Sequence, residues 1–268
     1  MIRKALALLK KDFLVETSYR FAFFFNIFGV LTSLLTYFFI DRLFGSRMVP
    51  HLEEFGVTYF PYVLLSTAFF GYIGVGLGSF AERIRNEQMQ GTLEALLLTP
   101  TRISTILFSL ALWNLVLATI DLVVYVLLAV FVFKIDFSGV NIVSTAVIFI
   151  LTICSFSGLG ILSACFIMIL KRGNPLSWIV AGVEGLICGA YFPVTVLPAW
   201  VQMIAQFFPI TYAIRAVQLA VYKGYTIAQL STEVAALAVF SAILLPASFA
   251  TFTWSLRKAR RDGTLGQY

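Results

Sequence analysis

The sequence predicts an all-α membrane protein: six transmembrane helices, an N-terminal amphipathic interfacial helix, and a re-entrant helical hairpin before the last span. Three observations predict it. The 268 residues are 60% hydrophobic and only 12% charged, with a mean hydropathy of +0.94. Soluble domains average about 45–50% apolar and about 25% charged residues. Several runs lack charge over the roughly 20 residues that a helix needs to cross a hydrocarbon core of about 30 Å. The Lys and Arg residues also cluster in alternate connections, as positive-inside topology requires.

The elements follow in order along a single domain, residues 1–268. Ile2, Leu6, Leu9 and Phe13 form one helical stripe, with Arg3, Lys4, Lys10 and Lys11 off it. That pattern predicts an interfacial helix over residues 1–20. Lys10, Lys11, Asp12 and Glu16 interrupt the segment too often for a cleavable signal peptide. The first span is the charge-free run between Arg20 and Asp41, and the second lies between Glu54 and Glu82. Ile103–Phe133 gives the third, interrupted by Asp121, and Phe137–Leu170 the fourth. The fifth runs from Pro175 to about Tyr191 with Glu184 inside it, and the last is Val234–Leu256.

Between the last two spans, Pro193, Pro198 and Pro209 break an apolar, aromatic-rich stretch. Proline favours helix starts, and the residue before it resists the α conformation. Two short helices, Pro198–Phe207 and Pro209–Tyr222, therefore replace a further span. They form an outer hairpin over residues 192–224 that enters and leaves on one side, which keeps the span count even.

With both termini inside, 14 of the 19 Lys and Arg lie on the cytoplasmic side. The net charge of +6 then reflects orientation and anionic lipid, and calls for no nucleic acid. Cys154, Cys165 and Cys188 sit in apolar runs without a C-x-x-C and read as packing residues. His51 is the sole histidine, in an outer loop, so neither a rhomboid-like serine site nor an H-E-x-x-H zinc site is present. No G-x-x-x-x-G-K-[ST] occurs, so the chain holds no phosphate-cradling loop. Gly74 and Gly78 lie inside a span and read as a G-x-x-x-G packing face, a spacing repeated by Gly185 and Gly189.

The most informative polar segment is the cytoplasmic loop over residues 81–102, AERIRNEQMQGTLEALLLTPTR. Glu82 and Arg85, and Arg83 and Glu87, stand at helical pairing distances up to Gln90, and Gly91 is suited to end that helix. Thr92–Leu98 supports a further turn or two before Pro100, with leucines too apolar for a loop that meets only water. Two acids fall inside spans, where a charge costs about 2.5–3.5 kcal/mol on insertion scales. Asp121 reads as a buried hydrogen-bonding group, while Glu184 reads equally as a structural acid or as part of a gate or substrate contact.

Glu87, Gly91, Thr92, Leu93, Glu94, Leu96, Thr99 and Pro100 follow a pattern similar to the cytoplasmic loop of ABC type-2 permeases. Leu197–Gly224, LPAWVQMIAQFFPITYAIRAVQLAVYKG, resembles the same family's segment before the final span. The resemblance covers essentially the whole chain. It implies the transmembrane permease subunit of an ATP-driven exporter. The missing P-loop makes the chain itself no enzyme, and short loops with an apolar lining suit a lipid-, glycan- or drug-like substrate. The resemblance implies a coupling site for a separate ABC nucleotide-binding ATPase at Glu82, Arg85, Glu87, Gly91, Thr92, Glu94, Thr99 and Pro100. ATP and Mg would be bound by that partner and no cofactor by this chain. It further implies a homodimer or a pair with a related permease, Gly74, Gly78, Glu184, Gly185 and Gly189 being placed along the pathway between protomers. The expected location is the plasma (inner) membrane of a bacterium or archaeon, among membrane lipids. An ion-coupled secondary transporter using Asp121 and Glu184 is the alternative, although the halves show no repeat of the kind such transporters carry.

Overall fold

Seven α-helices and no strand occur among the described residues of the computed structural model, which are 20–89, 91, 103–170 and 187–261. They are α1 (Arg20–Leu52), α2 (Tyr59–Met89), α3 (Ile103–Leu127), α4 (Ile142–Leu170), α5 (Ala199–Ala205), α6 (Pro209–Tyr222) and α7 (Ser231–Arg261). Five of them are long and apolar enough to cross a membrane. The expected interfacial helix, residues 92–102 of the polar loop and nearly all of the fifth span lie outside the described residues.

Three helices run parallel through the centre. Phe69 of α2 meets Phe149 of α4 edge to face at 4.8 Å, and Ser155 of α4 meets Ser241 of α7 at 2.8 Å between hydroxyls. In lipid the hydrophobic effect gives helices no reason to associate, so small residues and polar contacts must supply the close approach. Gly160 packs against the carbonyl of Gly76, and Gly158 lies against the backbone of Leu244. The paired serines also hydrogen-bond to the carbonyls of Leu151 and Leu237. Burial ranks the helices: 62% of the apolar window of α2 is buried, against 6% for α1 and 11% for α3.

Several boundaries differ from expectation. The first helix does not stop at Asp41 but continues to Leu52, with Pro50 in its last turn. One Asp-Arg step is too little to break a helix whose apolar run resumes at Leu43 and Phe44. The fourth span starts at Ile142 and not at Phe137. Asp136 accepts the N–H of Ser138 at 2.8 Å, and Asn141 caps the helix by accepting that of Ser144 at 3.1 Å. The Ser138 backbone and side chain together hold the Asp136 carboxyl below its ordinary range. The third span ends in a π turn, Leu128–Val132, which brings Phe133 to 4.6 Å from Phe60 and 5.5 Å from Phe38. The last span is longer than its apolar run and reaches Arg261.

Two helices occupy the proline-broken stretch. Pro198 precedes α5 and Pro209 is the first residue of α6, with Phe208 extended between them at φ −107° and ψ 128°. The axes meet at 92°. Ten of the 14 residues of α6 are buried, which makes it a core helix inserted among α2, α4 and α7.

Candidate functional site: the two ends of α2

α2 links the two regions singled out by sequence. At its far end Glu82 and Arg85 are exposed, the helix stops at Met89, and Gly91 takes φ +68°. That left-handed conformation is the one for which glycine is suited at a helix end. The side chain of Glu87 and all of Thr92, Glu94, Thr99 and Pro100 lie outside what the structure describes.

The near end of α2 is bonded to the hairpin. Gln218, wholly buried on α6, donates through Nε2 to the Tyr62 carbonyl at 2.8 Å and to Ser66 Oγ at 2.7 Å. Tyr222 donates its hydroxyl to the Pro61 carbonyl at 2.8 Å. Tyr62 in turn donates to the carbonyl of Gly189 at 2.7 Å. Gly189 has φ +93°, where a side chain would be strained, so its position is fixed by a turn at the end of the fifth span.

An ion cluster ties α6 to two more segments there. Arg215 on α6 bonds Glu54 Oε1 through Nε at 3.1 Å and Nη2 at 2.6 Å, and Glu233 Oε1 through Nη1 at 2.8 Å. Glu54 lies in the α1–α2 turn and Glu233 in the first turn of α7. Beside the cluster opens a cavity of about 500 Å³, walled by α2, the end of the fifth span, α5, α6 and the start of α7.

The other predicted positions are dispersed. Gly74 is exposed, Gly78 is half-buried, and neither meets an atom within 4 Å of where a side chain would begin. The close glycine crossing within the chain uses Gly76 and Gly160 instead. Asp121 is half-buried on α3, one turn before Tyr125. Glu184 and Gly185 lie outside the described residues, whereas Gly189 lines the cavity. No cluster of three or more His, Cys, Asp or Glu able to hold a metal is found among the described residues.

Sequence reasoning missed the Arg215 cluster and Gln218. The available signal was an arginine and a glutamine inside an otherwise apolar helix, since such groups demand buried partners. Their partners lie more than 150 residues away for Glu54, Tyr62 and Ser66, and no local pattern announces them.

Five helices long and apolar enough to cross a membrane, with a proline-started hairpin before the last of them, define an all-α, multi-pass membrane protein. A family model described as ABC-2 type transporter matches residues 3–222, and the chain belongs to that family. It is a permease subunit of an ABC transporter. The match ends where α6 ends. No curated protein matches the sequence.

Proposed function

We propose that the chain is the permease of an exporter that moves a lipid-, glycan- or drug-like amphiphile outward by alternating access. Two copies, or one copy and a related permease, work with two ATPase subunits in the plasma membrane of a bacterium or archaeon. The observation that carries this reading is the family match together with the span of α2. One helix of 31 residues, about 46 Å long at 1.5 Å per residue, joins the polar loop to the hairpin cavity. The end of α2 from Glu82 and the segment that follows it to Pro100 dock on the ATPase, and Glu87, Gly91, Thr92 and Glu94 pass its closure along α2. A short rigid segment transmits such a motion without chemistry of its own, and ATP binding shifts the population between two arrangements.

The test is to tag the chain, purify it mildly from native membranes and identify what accompanies it. A stoichiometric ATPase that is lost on Glu87→Ala or Gly91→Pro, with ATP-driven efflux lost in parallel, supports the reading. Efflux driven by an ion gradient with no ATPase present overturns it.

A further inference from the structure

We infer that the hairpin cavity is a binding site for a neutral, polyhydroxylated group, of the kind carried by a glycan or a glycosylated lipid head. The argument rests on which hydrogen-bonding capacity its walls have already used. Tyr62 spends its hydroxyl proton on the Gly189 carbonyl, and Thr211 spends its own on the Ala205 carbonyl at 2.7 Å. Gln202 turns its amide nitrogen to the Leu197 carbonyl at 2.8 Å and the Thr195 carbonyl at 3.3 Å. Tyr62 is itself 1% exposed, with Ser66 bonded to its hydroxyl, so the acceptor capacity the wall retains is that of Thr211 and Gln202: a hydroxyl oxygen and an amide oxygen. The matching ligand must therefore bring donors.

Charge then selects among donors. The described lining holds one cation and one anion, Arg215 and Glu54, already bonded to each other. Glu233 engages the third nitrogen of the same guanidinium and is itself 5% exposed. A phosphate or carboxylate finds the described lining's one guanidinium already shared between two carboxylates, which leaves only the neutral donors of Gln206 and Thr232 to offset its charge. An ammonium group must compete with Arg215 for both of them. Hydroxyls face neither obstacle, since each can donate to an acceptor and accept in turn from Gln206 or Thr232. Tyr212 and Phe55 add aromatic surface for the C–H face of a ring. The volume of about 500 Å³ falls within the range of small-molecule sites.

The other face of α5 bears on the source of the group. Trp200, Met203 and Ile204 are exposed there and Phe207 just beyond its end, so the segment that supplies Gln202 and Gln206 also offers an apolar flank for an attached chain. That the bound group is cargo rests on the exporter reading; that it binds does not.

The experiment uses the full chain in phosphatidylcholine nanodiscs, prepared without sugar-headed detergents, titrated calorimetrically. Maltotriose, mannotriose and fully N-acetylated chitotriose are the neutral probes and glucose 6-phosphate is the charged one. Saturable binding of at least one trisaccharide is expected, with glucose 6-phosphate weaker by about tenfold. Gln206→Leu with Thr232→Val, both on exposed wall positions, weakens the trisaccharide by about tenfold while the melting temperature holds. Doping the discs with glucosyl diacylglycerol separates the sources: competition assigns the site to a lipid head, and no competition to a free glycan. Absence of saturable binding by all three trisaccharides overturns the assignment, as does glucose 6-phosphate binding as tightly as any of them. Binding without a copurifying ATPase would leave this site standing and remove the exporter.

Discussion

Arg215 is half-exposed, yet it carries a nearly buried glutamate, and that asymmetry decides what its loss would do. The side chain of Glu233 is 6% exposed and that of Glu54 is 40% exposed. Removing the guanidinium leaves Glu233 charged with its ion-pair partner gone, whereas Glu54 can turn to solvent. Breaking a fully buried pair costs about 3–5 kcal/mol, and exposure of Arg215 reduces this to about 2 kcal/mol. Arg215→Met is therefore expected to lower the melting temperature of the purified chain, and adding Glu233→Gln should recover part of the loss. An Arg215→Met protein that melts with the wild type would show that the cluster holds nothing together. At this scale the sequence was least legible. Arg215 reads from composition as one more charge near the membrane surface, and only the packing of α6 between α2 and α7 supplies its two acids.

At the scale of elements, proline and charge-free length carried most of the information. Pro198 and Pro209 set both hairpin helices because proline fixes backbone geometry locally, whatever the tertiary surroundings. Helix ends without such markers were less legible. α1 runs through Asp41 because one Asp-Arg step is too short an interruption to end a helix whose apolar run resumes at Leu43. The packing glycines were legible as a class and misleading as individuals. A G-x-x-x-G spacing points to Gly74 and Gly78, but the close crossing uses Gly76 and Gly160, one helical face away. This separates two outcomes. Gly160→Ala should destabilise the chain by about 1–3 kcal/mol, since the obstacle is the backbone of α2 and cannot rotate aside. Gly74→Ala should leave the melting temperature unchanged, because open space surrounds that position. If Gly74 lies at a seam between protomers, the same substitution shifts the oligomer distribution on native mass spectrometry. An unchanged distribution would remove Gly74 from the proposed seam.

Across the whole molecule, α2, α4 and α7 run parallel from the hairpin junction, so their far ends lie together. That shared end carries Glu82 and Arg85 on α2 and Arg257, Lys258 and Arg261 on α7. The opposite end carries the hairpin, with Trp200 and Phe207 exposed in the manner of an interfacial aromatic belt. Positive-inside topology then predicts one orientation, with Met89 facing the cytoplasm and Trp200 facing outward. Both side chains are exposed, at 63% and 68%, so each tolerates replacement. The native thiols interfere little: Cys165 and Cys188 are buried, and Cys154, half-buried at the middle of α4, is replaced by Ser. In intact cells an impermeant maleimide is expected to label Trp200→Cys and to spare Met89→Cys until the membrane is opened. The reverse pattern would put the polar loop outside, away from any ATP, and would remove the coupling role of Glu87 and Gly91 together with the exporter. The expected pattern places the loop where an ATPase can reach it, at the end of α2, whose other end lines the hairpin cavity through Tyr62.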